Sequence, residues 1–144
     1  MGEAVAGACA LTWLTALTVY DVRQRRLPNA LTLPGAVVVL TVAALAGRGQ
    51  AALVGAAALT VIYLVVHLLS PAAMGAGDVK LALGIGALTG AYGVDAWVLA
   101  AITAPLLTAL LGVGLRARGT GASAVPHGPA MCVSAIAAVA LVAG

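Results

Sequence analysis

The sequence predicts an all-α, polytopic integral membrane protein with about six transmembrane helices and both termini on the extracytoplasmic side. Three observations carry this. Hydrophobic residues fill 63% of the 144 positions, charged residues only 8%, and mean hydropathy is +1.15. A soluble domain carries about 25% charged residues, and a surface this poor in charge does not stay dissolved. The apolar residues fall into six runs divided by short polar punctuation, and the basic residues gather on one side of the bilayer those runs imply.

The first run extends from about Val5 to Tyr20 and ends at Asp21-Val-Arg-Gln-Arg-Arg. The second, Ala30 to Ala46, stops at Gly47-Arg48-Gly49-Gln50, and Pro28 suits its start. The third spans Ala51 to Leu69 and meets Ser70-Pro71. The fourth starts near Asp78 and reaches Tyr92-Gly93. The fifth, Ala96 to Leu115, is expected to be capped by Asp95 and ends at Arg116-Ala-Arg118-Gly. The sixth begins near Pro126 and continues to the C-terminus. A bilayer crossing takes about 17–25 residues, so the first and fourth runs are at the short end and need tilt or snorkelling ends. Helices are the expected form because lipid offers backbone polar groups no partner. The chain reads as one domain over residues 1–144, and the loop 119–124 is expected to be mobile.

With six crossings, one side receives Arg23, Arg25, Arg26, Lys80, Arg116 and Arg118, and the other receives only Arg48 with Glu3 and Asp95. That bias makes the first side cytoplasmic. Small residues recur at four-residue spacing, as in Ala82, Gly86 and Gly90 or Ala51 and Gly55, and let helix backbones approach closely. There is no Phe and aromatics are 3%, so Ala, Val, Leu and Gly carry the packing. Trp13 is expected to pack, and Tyr20, Tyr92 and Trp97 to anchor at the interface.

Several function classes fall away. A net charge of +3, without a basic stretch interleaved with aromatics, gives no reason to expect nucleic acid. Cys9 and Cys132 lie far apart within apolar runs, and both are expected to be small core residues. With no CxxC and no His/Cys cluster, no metal or cofactor is expected. Glu3 is the only charge near the N-terminus, so the first run is read as a retained span, not a cleaved signal.

Two of the four acidic residues sit where acids are costly. Asp21 closes the first run and Asp78 opens the fourth, within Gly75-Ala-Gly77-Asp78-Val-Lys80. Two whole crossings lie between them, so both carboxylates reach the same side of the bilayer. Two carboxylates meeting where water is scarce do not both ionise, and the pair holds one proton. One carboxylate then serves as general base for water, and the protonated one hydrogen-bonds the carbonyl under attack. Gly75 and Gly77 are expected to adopt conformations closed to other residues and to leave room for an extended peptide. A structural reading stands beside this one. Asp78 makes a good helix N-cap, and Asp21 can pair with Arg23 or Arg25.

The motifs resemble those of the type IV prepilin peptidases. Asp21-x-Arg23-x-x-x-Leu27-Pro28-Asn29 is similar to the family's first signature, and Gly75-Ala-Gly77-Asp78-Val-Lys80-Leu81 to its Gly-x-Gly-Asp motif. Pro126-His127-Gly128-Pro129-Ala130 is a weaker third match, in which His127 replaces the family's usual aromatic residue. The matches keep the family's order over nearly the whole chain. The resemblance implies an aspartic endopeptidase that cuts the basic leader from prepilin or pseudopilin precursors at the cytoplasmic face of the plasma membrane, with Asp21 and Asp78 catalytic. It implies Gly75, Gly77, Lys80, Pro28, Asn29, Arg23, Gly128 and Pro129 as supporting residues. Many bacterial members add an N-terminal region with paired Cys motifs and methylate the new N-terminus. No such motif occurs here, so the expectation is a peptidase without methyltransferase activity. Archaeal preflagellin peptidases are relatives too, but the Ala/Gly/Val-rich usage leans towards a bacterial pilus or secretion system. The expected partners are a protein precursor and membrane lipid. The rival readings are a non-catalytic membrane subunit of a secretion or transport complex, and an inactive family member kept for assembly.

Arg23, Arg25 and Arg26 read mainly as a topology signal touching anionic head groups. Lys80 either tunes the charge on Asp78 or snorkels. His67 reads as a satisfied or interfacial histidine, and His127 joins the cytoplasmic group without an assigned role.

Overall fold

In the computed structural model, residues 1–119 and 125–144 are described, and all regular structure among them is helical. The expectation of a mobile loop at 119–124 therefore falls, apart from Gly119, outside the described residues. Six helices follow in order: α1 Gly2–Gln24, α2 Asn29–Leu45, α3 Gly49–Leu69, α4 Ala76–Tyr92, α5 Val94–Ala117 and α6 His127–Ala143. By length and composition, α1, α3 and α5 suit membrane crossing, with mean hydropathies of 1.4, 2.3 and 2.2. α2 and α6 are shorter apolar helices. At 17 residues each, α2, α4 and α6 reach about 26 Å, slightly less than the ~30 Å hydrocarbon layer. The outward residues are those expected of a lipid-facing surface: Val37, Val38, Leu53, Val61, Leu110 and Val113 are all exposed. In water, an apolar surface of this extent would aggregate.

α4 is the centre of the bundle. It packs on α2, α3, α5 and α6, and Leu81, Ala82, Gly84, Ile85, Gly86, Ala87, Thr89 and Gly90 are all buried along it. Its closest partner is α3, and the four-residue spacing of small residues explains how the two approach. A Cβ added at Gly86 would collide with the carbonyl of Gly55, and one at Gly90 would lie 2.7 Å from that of Ala51. On the other flank, Trp13 of α1 fills notches at Gly35 of α2 and Gly84 of α4. Its indole N–H donates to the Leu31 carbonyl at 2.8 Å. Trp13 is thus the packing residue expected of it.

α1 is peripheral, packing mainly on α6, more lightly on α2 and, through Trp13, on α4 at Gly84. It buries only Leu14, Leu17 and Asp21. The intervals of three and four place these on one stripe, so Asp21 belongs to the inward face. Leu14 and Leu17 join Met131, Cys132 and Ala135 of α6 in the main core.

Four expectations need correction. α1 runs past Tyr20 to Gln24, which leaves Asp21 inside its last turn instead of closing it. Cys9 is exposed, and only Cys132 is a core residue. An apolar run in lipid does not distinguish inside from outside by polarity. Asp95 does not cap α5; Gly93 does, with φ of 119°, a conformation open to glycine that reverses the chain between α4 and α5 in one residue. Trp97 is more than an interface anchor, since its indole N–H donates to the Gly55 carbonyl at 3.0 Å and ties α5 to α3. Tyr20 and Tyr92 are exposed, and the Arg48 guanidinium lies 5.6 Å from the Tyr92 ring centroid.

The α3–α4 contact predicts a test of packing. Ala favours a helix over Gly by about 1 kcal/mol, yet Gly86→Ala is expected to destabilise the protein by about 1–3 kcal/mol because backbone, not a flexible side chain, opposes the added methyl. Gly7→Ala, which meets nothing within 4 Å, should be neutral or stabilising. Unfolding midpoints in detergent micelles check both.

Candidate active site

One end of the bundle holds a cavity of about 680 Å³. Asp21, Gln24, Arg25 and Arg26 reach it from the end of α1, Leu27 to Ala30 from the turn into α2, and Gly75, Ala76, Gly77, Asp78 and Lys80 from the start of α4. The two aspartates thus share one cavity at one end, as their sequence parity requires. Asp21 is 7% exposed and Asp78 half-buried, and the two interact electrostatically.

Backbone amides lie close to both carboxylates. The Gly128 N–H, near the start of α6, donates to Asp21 Oδ2 at 2.9 Å. The first amides of a helix lack intrahelical acceptors, and the helix end carries partial positive charge, so a carboxylate there satisfies both needs. Gly128 must be glycine for this to occur, because a Cβ would overlap Asp21 Oδ2. Asp78 sits in the first turn of its own helix, where the Gly75 backbone amide faces its carboxylate. It is the third residue of α4 and not its N-cap, a position that belongs to Gly75.

The remaining motif residues brace this pair. Lys80 Nζ donates to Asn29 Oδ1 at 2.8 Å, joining the first turn of α4 to the first residue of α2. Pro28 is the extended N-cap of α2, with φ −69° and ψ 136°. Leu27 is buried against Gly77, where a Cβ would lie 3.2 Å from that of Leu27. This revises the expected role of the glycines. Neither Gly75 nor Gly77 has a positive φ, and the space at Gly77 is taken by Leu27, not left for a peptide. Arg25, at the end of α1, takes the left-handed conformation with φ 50° and ψ 34°, and its N–H bonds to the Asp21 carbonyl. Arg23 is exposed and does not line the cavity, and Pro129 is half-buried in the first turn of α6.

His67 is a satisfied histidine, with Nδ1 paired to the Met74 carbonyl. His127 is in a different situation. Its Nε2 lies 2.9 Å from the Tyr63 hydroxyl and its Nδ1 2.7 Å from Thr108 Oγ1. Tyr63 also lies within electrostatic reach of Asp78. In the sequence, Tyr63 and Thr108 carry little signal. Their only signal was a polar group within an apolar run, and for Tyr63 a place four residues before His67 on one helix face. Among the described residues, no group of His, Cys, Asp or Glu is arranged to hold a metal.

In comparison with known proteins, a family model described as the type IV leader peptidase family matches residues 8–143. No match was found among curated proteins or among solved structures.

The Gly128–Asp21 contact is testable as a coupling. Gly128→Ala is expected to destabilise the protein by about 1–3 kcal/mol through overpacking. In an Asp21→Ala background most of that loss should vanish, because the obstructing carboxylate is gone. Unfolding of the double-mutant cycle measures this coupling.

Proposed function

Because the chain belongs to the type IV leader peptidase family, we propose that it is an aspartic endopeptidase that removes the leader from prepilin- or pseudopilin-like precursors, with Asp21 and Asp78 as the water-activating pair. The observation that carries this reading is the shared cavity, in which two interacting carboxylates line one concave space at one end of an apolar bundle. A volume of about 680 Å³ admits a short stretch of extended peptide. The neighbouring lipid offers a path for the hydrophobic helix of a pilin-like substrate.

The chemistry needs no group beyond the pair and water. The ionised carboxylate takes a proton from water as its oxygen adds to the scissile carbonyl carbon. The protonated carboxyl donates to the carbonyl oxygen, giving a neutral tetrahedral diol. Proton return to the amide nitrogen then breaks the C–N bond and releases a new carboxyl and a new amine. Asn retains the shape of either side chain but neither takes nor gives that proton.

The same reading places the cavity at the cytoplasmic face of the plasma membrane and both termini outside. Its support is the distribution of charge: Arg25, Arg26 and Lys80 line this cavity, while Arg48 lines a cleft at the other end with Gly47, Gly93 and Trp97. It also treats residues 1–144 as a single peptidase domain, consistent with one core running from α1 to α6.

Asp21→Asn and Asp78→Asn are each expected to lower precursor cleavage by about 10²-fold or more while membrane insertion and unfolding midpoint stay close to wild type. Co-expression with a precursor bearing a short basic leader, a Gly and a long apolar helix, read by intact mass, tests this. Cleavage at the wild-type rate by either variant would refute the two-aspartate assignment.

A further inference from the structure

His127 is the first residue of α6, and its ring makes two hydrogen bonds to two other helices, to Tyr63 on α3 and to Thr108 on α5. The next residue, Gly128, donates its N–H to Asp21 on α1. Four helices therefore meet at two consecutive residues, and the one backbone donor to the Asp21 carboxylate among the described residues is attached directly to the histidine.

The proton positions in this chain follow from counting donors. Thr108 Oγ1 has one proton and lies 3.1 Å from the Ala104 carbonyl, which can only accept. With that proton given to Ala104, Thr108 Oγ1 faces His127 as an acceptor, and Nδ1 must carry the hydrogen. A neutral imidazole then has a bare Nε2, which accepts the Tyr63 O–H. The opposite arrangement, with hydrogen on Nε2, gives up the Ala104 bond and turns the Tyr63 proton away from its one bonded neighbour among the described residues. One arrangement uses every donor, and buried donors are seldom left unused.

We propose that His127, fixed as its Nδ1–H tautomer between Tyr63 and Thr108, is a positioning residue that acts through the Gly128 amide to aim the Asp21 carboxylate. A helix N-terminus without such a clamp is free to shift or fray, and the Gly128 N–H would move with it. Among the described residues, the N-cap of α6, Pro126, makes no side-chain cap bond. The clamp reaches both halves of the pair: Gly128 holds Asp21, and Tyr63, which bonds His127, lies within electrostatic reach of Asp78. The catalytic part of this inference rests on the reading of Asp21 and Asp78 as a water-activating pair, whereas the tautomer and the Gly128 geometry do not.

The test combines kinetics with a spectroscopic readout that does not depend on turnover. In detergent micelles, the ¹⁵N shifts of the His127 ring are expected to show hydrogen on Nδ1 and an accepting Nε2. The Gly128 amide proton is expected downfield, and to move upfield in His127→Phe, which keeps a ring but removes both bonds. In precursor cleavage, kcat per folded molecule should fall about tenfold or more, because small misplacements of reacting groups are costly, with KM unchanged within about twofold. Tyr63→Phe and Thr108→Val each remove one of the two bonds to His127 with little change of shape, and should give smaller losses that do not add to that of His127→Phe. They keep the test decisive should the histidine variant fail to fold. His127→Gln, which can still reach Tyr63, should recover part of kcat. An Nε2–H tautomer, an unmoved Gly128 amide, or a wild-type kcat in the folded variants would overturn the proposal. If the wild-type protein cleaved no precursor, the peptidase reading would fail, and the ring and amide shifts would still decide whether His127 sets the Asp21 geometry.

Discussion

The hydrogen bond from the Gly128 amide to Asp21 Oδ2 closes the structure on itself. It spans 107 residues and joins the last helix to the first, and it meets two needs at once. A carboxylate within a bundle of apolar helices requires a donor, and the first turn of a helix has amides without acceptors. α1 has few other attachments: its inward stripe offers Leu14 and Leu17 to α6, and Trp13 packs at Gly35 and Gly84 and bonds the Leu31 carbonyl. Deleting either partner would leave the other unsatisfied where water is scarce, a loss of about 1–3 kcal/mol for a buried polar group and more for a charged one. Asp21 is thus held at an internal position where a carboxylate would otherwise be disfavoured.

The rest of the bundle positions the second carboxylate on the same cavity as the first. α4 lies at the centre because two flanks are nearly free of bulk: Gly86 and Gly90 on one admit the α3 backbone, and Gly84 on the other admits the Trp13 ring. In lipid, apolar area gives no advantage to helix contact over lipid contact, so close backbone approach and dispersion must hold the helices together. The rigid seam between α3 and α4 fixes where α4 begins, and hence where Asp78 stands. The turn between α1 and α2 then docks on that beginning through Leu27 on Gly77 and Asn29 with Lys80. All three sequence motifs therefore converge on one cavity end, two contributing the aspartates and the third the glycine amide that holds one of them.

Much of this was legible in the sequence, for identifiable reasons. Apolar runs and their punctuation placed six helices close to the observed limits because lipid leaves the backbone no alternative to helix. Counting crossings placed Asp21 and Asp78 at one end, and the spacing of Ala51, Gly55, Gly86 and Gly90 anticipated the tightest seam. What sequence conceals is facing. In water, polarity separates inside from outside, whereas here both faces are apolar, so Cys9 was expected in the core and is exposed. The glycines beside Asp78 were ambiguous for a related reason, since a missing side chain does not say what fills its place; at Gly77 it is Leu27. The motif resemblance marked Gly128 as a supporting residue but not what it does, because a backbone amide has no side-chain signature. The Tyr63–His127–Thr108 chain combines residues from three separate runs, and only the folded arrangement shows that they meet.

The claim on which the account stands is spatial: Asp21 and Asp78 face each other across one cavity in the membrane-embedded protein. Paired cysteines test it most directly. With Cys9→Ala and Cys132→Ala as background, Asp21→Cys and Asp78→Cys are combined, and native membranes are treated with a short bifunctional thiol reagent. The account predicts efficient intramolecular cross-linking of this pair and none when Asp78→Cys is replaced by Arg48→Cys, at the opposite end. An Asp21→Cys/Asp78→Cys protein that resists cross-linking although both thiols react singly would contradict the shared cavity, and the catalytic pair with it.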